Sequence, residues 1–124
     1  MKTLMNITTV LILLLATTGL QAADINKKIM GTWKYTANEA PDGYRNGEII
    51  FFEKDGVTRA KIVTDYDTIV SEKIKTEKDK VTFNFYAEYE LCTAKLTYTN
   101  NVLKGDVDTV EGKIALTLKR KVKK

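Results

Sequence analysis

The sequence predicts an all-β protein: a small antiparallel up-and-down barrel of eight strands, preceded by a short helical turn. Three observations lead there. Beyond Ala23, apolar and polar residues alternate with a period close to two, the pattern of strands with one face in a core and one in water. Turn signals recur about every ten residues, at the spacing of short strands in a sandwich or barrel. Proline occurs once, at Pro41 in a loop, so no strand loses a ladder donor.

The strands follow in order. "GTWKYTA" is the first and "GEIIFFEK" the second, ended by Asp55-Gly56, a pair that tolerates the positive φ of a tight hairpin. "VTRAKIVT" and "TIVSEKIKT" flank Asp65-Tyr66-Asp67. "VTFNFYAE" and "LCTAKLTYT" are joined by a reversal near Tyr89. "VLKGDVDT" follows Asn100-Asn101, and "KIALTLKRK" follows Glu111-Gly112. The short "ADINKKI" before Gly31 is the one helical candidate. Short hairpins favour pairing between neighbours in sequence. Closing the sheet on itself would remove both vulnerable edges. A Greek key needs a long crossover, which only the stretch from Asn38 to Asn46 could supply.

Residues 1–22 read as a secretory signal peptide: Lys2 supplies a positive end, Val10 to Ala16 an apolar run, and Leu20-Gln21-Ala22 a small-residue cleavage site. The apolar run falls short of the roughly 20 residues of a membrane span. Residues 23–124 then form one domain with one core. The expected location is periplasmic or secreted, in soluble form. A net charge of +4 comes from dispersed lysines, many in the terminal "LKRKVKK". Because the lysines alternate with Asp and Glu along the strands, nucleic acid is not an expected partner. Cys92 is the single cysteine, so stability must come from packing and not from an internal disulfide.

Gly31-Thr32-Trp33, on the first strand after a short helical lead-in, resembles the Gly-x-Trp signature that opens the barrels of the lipocalin and wider calycin families. In those families a basic residue near the end of the last strand packs across that tryptophan. Arg120 lies on the last strand, and alternation places it on the inward face with Leu116 and Leu118. The resemblance implies that Gly31, Trp33 and Arg120 close the barrel structurally. Lipocalins are longer and carry a helix after the eighth strand. The nearer comparison is with compact lipocalin-like domains of exported bacterial proteins.

The chain contains no histidine, which removes the usual general base and the commonest zinc and haem ligand. The acid pairs Asp65/Asp67, Glu88/Glu90 and Asp106/Asp108 sit in turns or on wet faces, where carboxylates solvate. No catalytic residue, cofactor or metal site is expected. Binding is the stronger expectation, because an eight-stranded barrel either fills with its own side chains or holds one small ligand. Clustering of small inward residues such as Ala87, Cys92 and Ala94 at one mouth would leave a pocket lined by Tyr35, Phe85 and Tyr98. The ligand would be small and amphipathic or hydrophobic, in a cavity of at least about 300 Å³. Glu72 falls inward by alternation with Val70 and Ile74, which would place a carboxylate near the ligand; a local bulge would instead turn it to solvent. Cys92 among apolar neighbours reads first as a small core residue. The alternative is a packed-core interaction or inhibitor module. It would bind a protein or glycan through the 38–46 loop, with Tyr44 and Arg45 as contacts.

Overall fold

The computed structural model describes residues 25–121. The proposed signal peptide and the last three residues lie outside them. A single helical turn, α1 (residues 25–29), is followed by nine strands. They are β1 (Gly31–Thr36), β2 (Asn46–Lys54), β3 (Val57–Val63), β4 (Thr68–Val70), β5 (Lys75–Glu77), β6 (Lys80–Ala87), β7 (Glu90–Thr99), β8 (Val102–Thr109) and β9 (Gly112–Arg120). All pairings are antiparallel, in the order β4-β3-β2-β1-β9-β8-β7-β6-β5. The meander is therefore observed, and the first strand lies beside the last. Trp33 is the direct register partner of Arg120. The Asn38 to Asn46 stretch is a folded loop between paired neighbours and not a crossover.

Two expectations are corrected. The fourth strand is split, making nine strands instead of eight, and the ladder does not close into a complete cylinder. Both differences arise at residues 71–74. The Ser71 hydroxyl accepts a hydrogen bond from the Ala60 amide at 2.8 Å and donates to the Glu72 carbonyl at 2.7 Å. A side chain thus takes a place in the backbone network and ends β4. The chain then crosses between the two margins of the sheet. Ser71 and Ile74 amides donate to Ala60 and Thr58 carbonyls on β3, while the Glu72 amide donates to Asn84 on β6.

Elsewhere the alternation holds. Val81 and Phe83 on β6, Ala94 and Leu96 on β7, Leu103 on β8, and Leu116 and Leu118 on β9 are buried in one core. Asp55-Gly56 and Asn100-Asn101 adopt positive φ throughout, as tight hairpins require. Gly105 marks a close approach: a Cβ there would lie 1.9 Å from the Lys95 carbonyl oxygen of β7, so only glycine fits between these two strands.

Candidate functional site: the open mouth of the barrel

The two ends of the barrel differ. At one end α1 folds beneath the sheet, burying Ile25 and Ile29 against the core. The Trp33 indole donates to the Ile29 carbonyl at 2.8 Å, and its ring is fully buried. The Arg120 guanidinium lies 4.0 Å from the centre of that ring, a cation–π contact. It also donates to the Met30 carbonyl at 2.6 Å and to that of Lys28. Gly31 has φ 111, and a Cβ there would sit 3.5 Å from the guanidinium. Arg120 on the last strand thus joins the β1 tryptophan to the carbonyls of the helical lead-in.

Tyr98 belongs to this closed end. Its ring meets Trp33 edge-on with centroids 6.4 Å apart, and its hydroxyl donates to Asn101 at 3.0 Å. It does not line the cavity at the other end, because it sits at the far end of the inward row that runs from Cys92 through Ala94 and Leu96. Glu72 is likewise not an inward carboxylate. The break at Ser71 shifts the alternation, so Ser71 and Ile74 point in while Glu72 is exposed, accepting only a 3.5 Å hydrogen bond from Asn84.

The opposite end encloses a cavity of about 240 Å³. Its wall includes Tyr35, Phe85 and Cys92, with Ile49, Phe83 and Leu116. The small residues Ala37, Ala40 and Ala87 hold the space open near the rim. The volume falls short of the roughly 300 Å³ expected of a ligand-holding barrel, so that expectation is corrected to a smaller cavity, which confines an occupant to a small molecule. Burial pushes the Tyr35 hydroxyl up to about 12, and the nearby charge of Asp65 acts in the same direction. Burial also pushes the Cys92 thiol up, with the Glu90 charge adding to it. A thiol held protonated is a weak nucleophile, so Cys92 acts as a small wall residue.

The β1–β2 loop covers part of the mouth. Ala37 accepts from Ala40 at 3.0 Å, and Arg45 donates through Nε to the Ala40 carbonyl at 2.8 Å. Arg45 also pairs with Asp42 at 3.1 Å, so its charge is used within the loop. Tyr35 donates to the Tyr44 carbonyl at 2.9 Å, and the Asp65 amide donates to Gly43. These bonds tie the loop to the wall and to the β3–β4 turn. Tyr44 packs edge-on against Tyr66 at 5.4 Å and donates to Glu88 at 3.2 Å. Of the two expected loop contacts, Tyr44 lines the cavity and Arg45 does not.

An open groove continues from the cavity over the rim, lined by Pro41, Tyr44, Tyr66, Tyr86, Glu88 and Tyr89, among others. Tyr89 is fully exposed, at 101%. Glu88 and Tyr89 occupy a tight turn with φ of 51° and 70°, a conformation that usually requires Gly or Asn. The sequence reading placed a reversal here but missed both the strained turn and the tyrosine rim. The absence of Gly and Asn at a two-residue turn, between strands carrying outward Tyr86 and Leu91, was the available signal.

No protein-family model matches the chain, and no curated protein matches it. Among solved structures it is similar to a redesigned β-barrel, with a TM-score of 0.57 and 19% identity over 79% of this chain and 96% of that one. It is also similar to a mutant of the fluorescent protein UnaG, with a TM-score of 0.52 and 14% identity over 78% of this chain and 99% of that one. At these identities the likeness concerns the fold. The chain is a small antiparallel β-barrel with one plugged and one open end.

Proposed function

We propose that this protein is an exported, calycin-like barrel that binds a small amphipathic or hydrophobic ligand non-covalently in its mouth, without catalysing a reaction on it. The observation carrying this reading is the cavity of about 240 Å³, walled mainly by apolar side chains at one end of an otherwise packed core. A wall of Phe85, Ile49 and Leu116 offers apolar burial, while the tyrosine hydroxyls and rim carboxylates offer polar contacts at the opening. The Gly-x-Trp start and the Arg120 closure support calycin membership, and the three-part N-terminus supports export.

The test is native mass spectrometry of protein purified from its own cells, with a thermal-shift screen of small lipids, amines and aromatic compounds. A bound species of low mass, or a rise in Tm with one ligand class, is the expected result. Apo protein alone with no shift across the screen would refute the reading. Export is tested separately by cell fractionation and N-terminal sequencing, which should place the first residue of the mature chain at Ala23.

A second reading, an interaction module for a protein or glycan, draws on the exposed tyrosines of the rim. It expects Tyr44→Ala or Tyr89→Ala to abolish a pull-down while Tm barely moves. Small-molecule uptake in the mouth would then be absent.

A further inference from the structure

From the charge of the mouth we infer the sign of the ligand: the cavity selects a small organic ammonium ion whose apolar part enters the barrel. This rests on the mouth being a ligand site. The chain as a whole is basic, with 20 Lys and Arg against 16 Asp and Glu. Yet the charged residues lining the cavity are Glu88, Glu90 and Glu111, and no Lys or Arg is among them. The groove beyond adds Asp42 and Asp67. Asp42 is neutralised by Arg45, so the uncompensated charge centres on the three glutamates and Asp67.

Arg120, Lys27, Lys28, Lys119 and Lys121 lie at or beside the plugged end, other lysines are distributed along the strands and the β4–β5 margin, and Arg45 in the mouth loop is paired with Asp42. The charge lining the cavity mouth is therefore opposite in sign to the net charge of the chain.

The acids are spread around the opening and do not converge. Among the described residues no three His, Cys, Asp or Glu side chains are placed to hold a metal ion. Separated carboxylates on two turns beside an apolar cavity suit a diffuse cation attached to a hydrocarbon, and they repel a carboxylate or phosphate head. Aromatic faces add to this. Glu88 stands where cavity and groove meet, accepting a hydrogen bond from Tyr44. Tyr66, Tyr86 and Tyr89 line the groove beside it. Tyrosine rings attract ammonium groups through their negative faces. Glu88, Glu90 and Glu111 are exposed at the rim, so their pull on a cation is long-ranged at low salt and screened as salt rises.

The test compares three probes that share one tail: hexylammonium, 1-hexanol and hexanoate, titrated by calorimetry at pH 7 and low salt. Hexylammonium should bind at least tenfold more tightly than 1-hexanol, and hexanoate should bind weakest. The variant Glu88→Gln/Glu111→Gln should remove most of the advantage of hexylammonium over 1-hexanol, with an unchanged near-UV circular dichroism spectrum reporting that the barrel is folded. Raising salt to 0.5 M should narrow the gap between the three probes. Equal affinity for hexylammonium and hexanol, or preference for hexanoate, would overturn the charge selection while leaving a functional mouth. Failure of all three to bind would overturn both readings.

Discussion

The plugged and open ends of this barrel are built from the same strands, yet they meet opposite requirements. At the plugged end each polar group of the central residues has a partner: the indole donates to Ile29, and the guanidinium covers the ring while donating to Met30 and Lys28. Ile29, Trp33, Leu103 and Leu118 are fully buried there. At the open end Ala37, Ala40 and Ala87 stand where bulky residues would fill the barrel, leaving the cavity, and the chain crosses it in a loop. One end closes the sheet and the other leaves room. At the open rim the β6–β7 turn holds Glu88 and Tyr89, neither of them Gly or Asn, at positive φ.

The comparison can be broken most severely at Trp33. Replacing it by Ala should destabilise the protein by about 3–5 kcal/mol, the range for deleting a buried aromatic ring. Chemical denaturation with near-UV detection measures it. Next in size is Arg120→Ala, which should cost about 2 kcal/mol by removing a cation–π contact together with backbone hydrogen bonds. Arg120→Lys should recover only part of this, because an ammonium lacks the flat fork that reaches two carbonyls while covering the ring. Equal stability of wild type and Arg120→Ala would mean that the plug does not depend on the guanidinium.

At the open end the effects are smaller and depend on pH. The Tyr35 hydroxyl is raised to about 12 from 10.0. The folded state thus retains a proton that the unfolded chain begins to lose near pH 10. The stability this provides is complete below pH 10 and is lost as pH rises through about 12. Tyr35→Phe should cost about 1 kcal/mol at neutral pH through the lost bond to the Tyr44 carbonyl, and it should flatten this alkaline decline in Tm. The smallest expected effect is at Cys92, whose buried, protonated thiol should react slowly with iodoacetamide in the native protein. A ligand in the mouth should slow it further, and unfolding should release it, as read by mass spectrometry of the alkylated chain.

Most of the fold was legible in the sequence because side-chain alternation survives wherever the ladder is regular. The inward rows of β6 to β9 and the β1–β9 junction follow from period two and short hairpins, whereas the contact of Arg120 with Trp33 is implied by the resemblance to the lipocalin signature. Alternation failed at Ser71, where a hydroxyl enters the backbone network and resets the face for Glu72 and Ile74. A serine inside a strand pattern carries no mark of that role. Tyr35, Phe85 and Cys92 could be assigned to one cavity because their rows point inward near the same end. Tyr98 was assigned there too, because face alone does not say how far along the barrel a residue sits. The acidic rim was hidden for another reason: Glu88, Glu90 and Glu111 come from two separate turns, β6–β7 and β8–β9, that the fold brings to the same open end.

The crossing at residues 71–74 gives the wall one place where it is stitched instead of woven. Both flanking strands are three residues long, and Lys73, Lys75, Lys78 and Lys80 lie along this margin. Such charges deter another chain from adding itself as a tenth strand. If the cylinder breathes, it parts here first, and amides on either side of the stitch should trade hydrogen for deuterium well before those of β7 and β8.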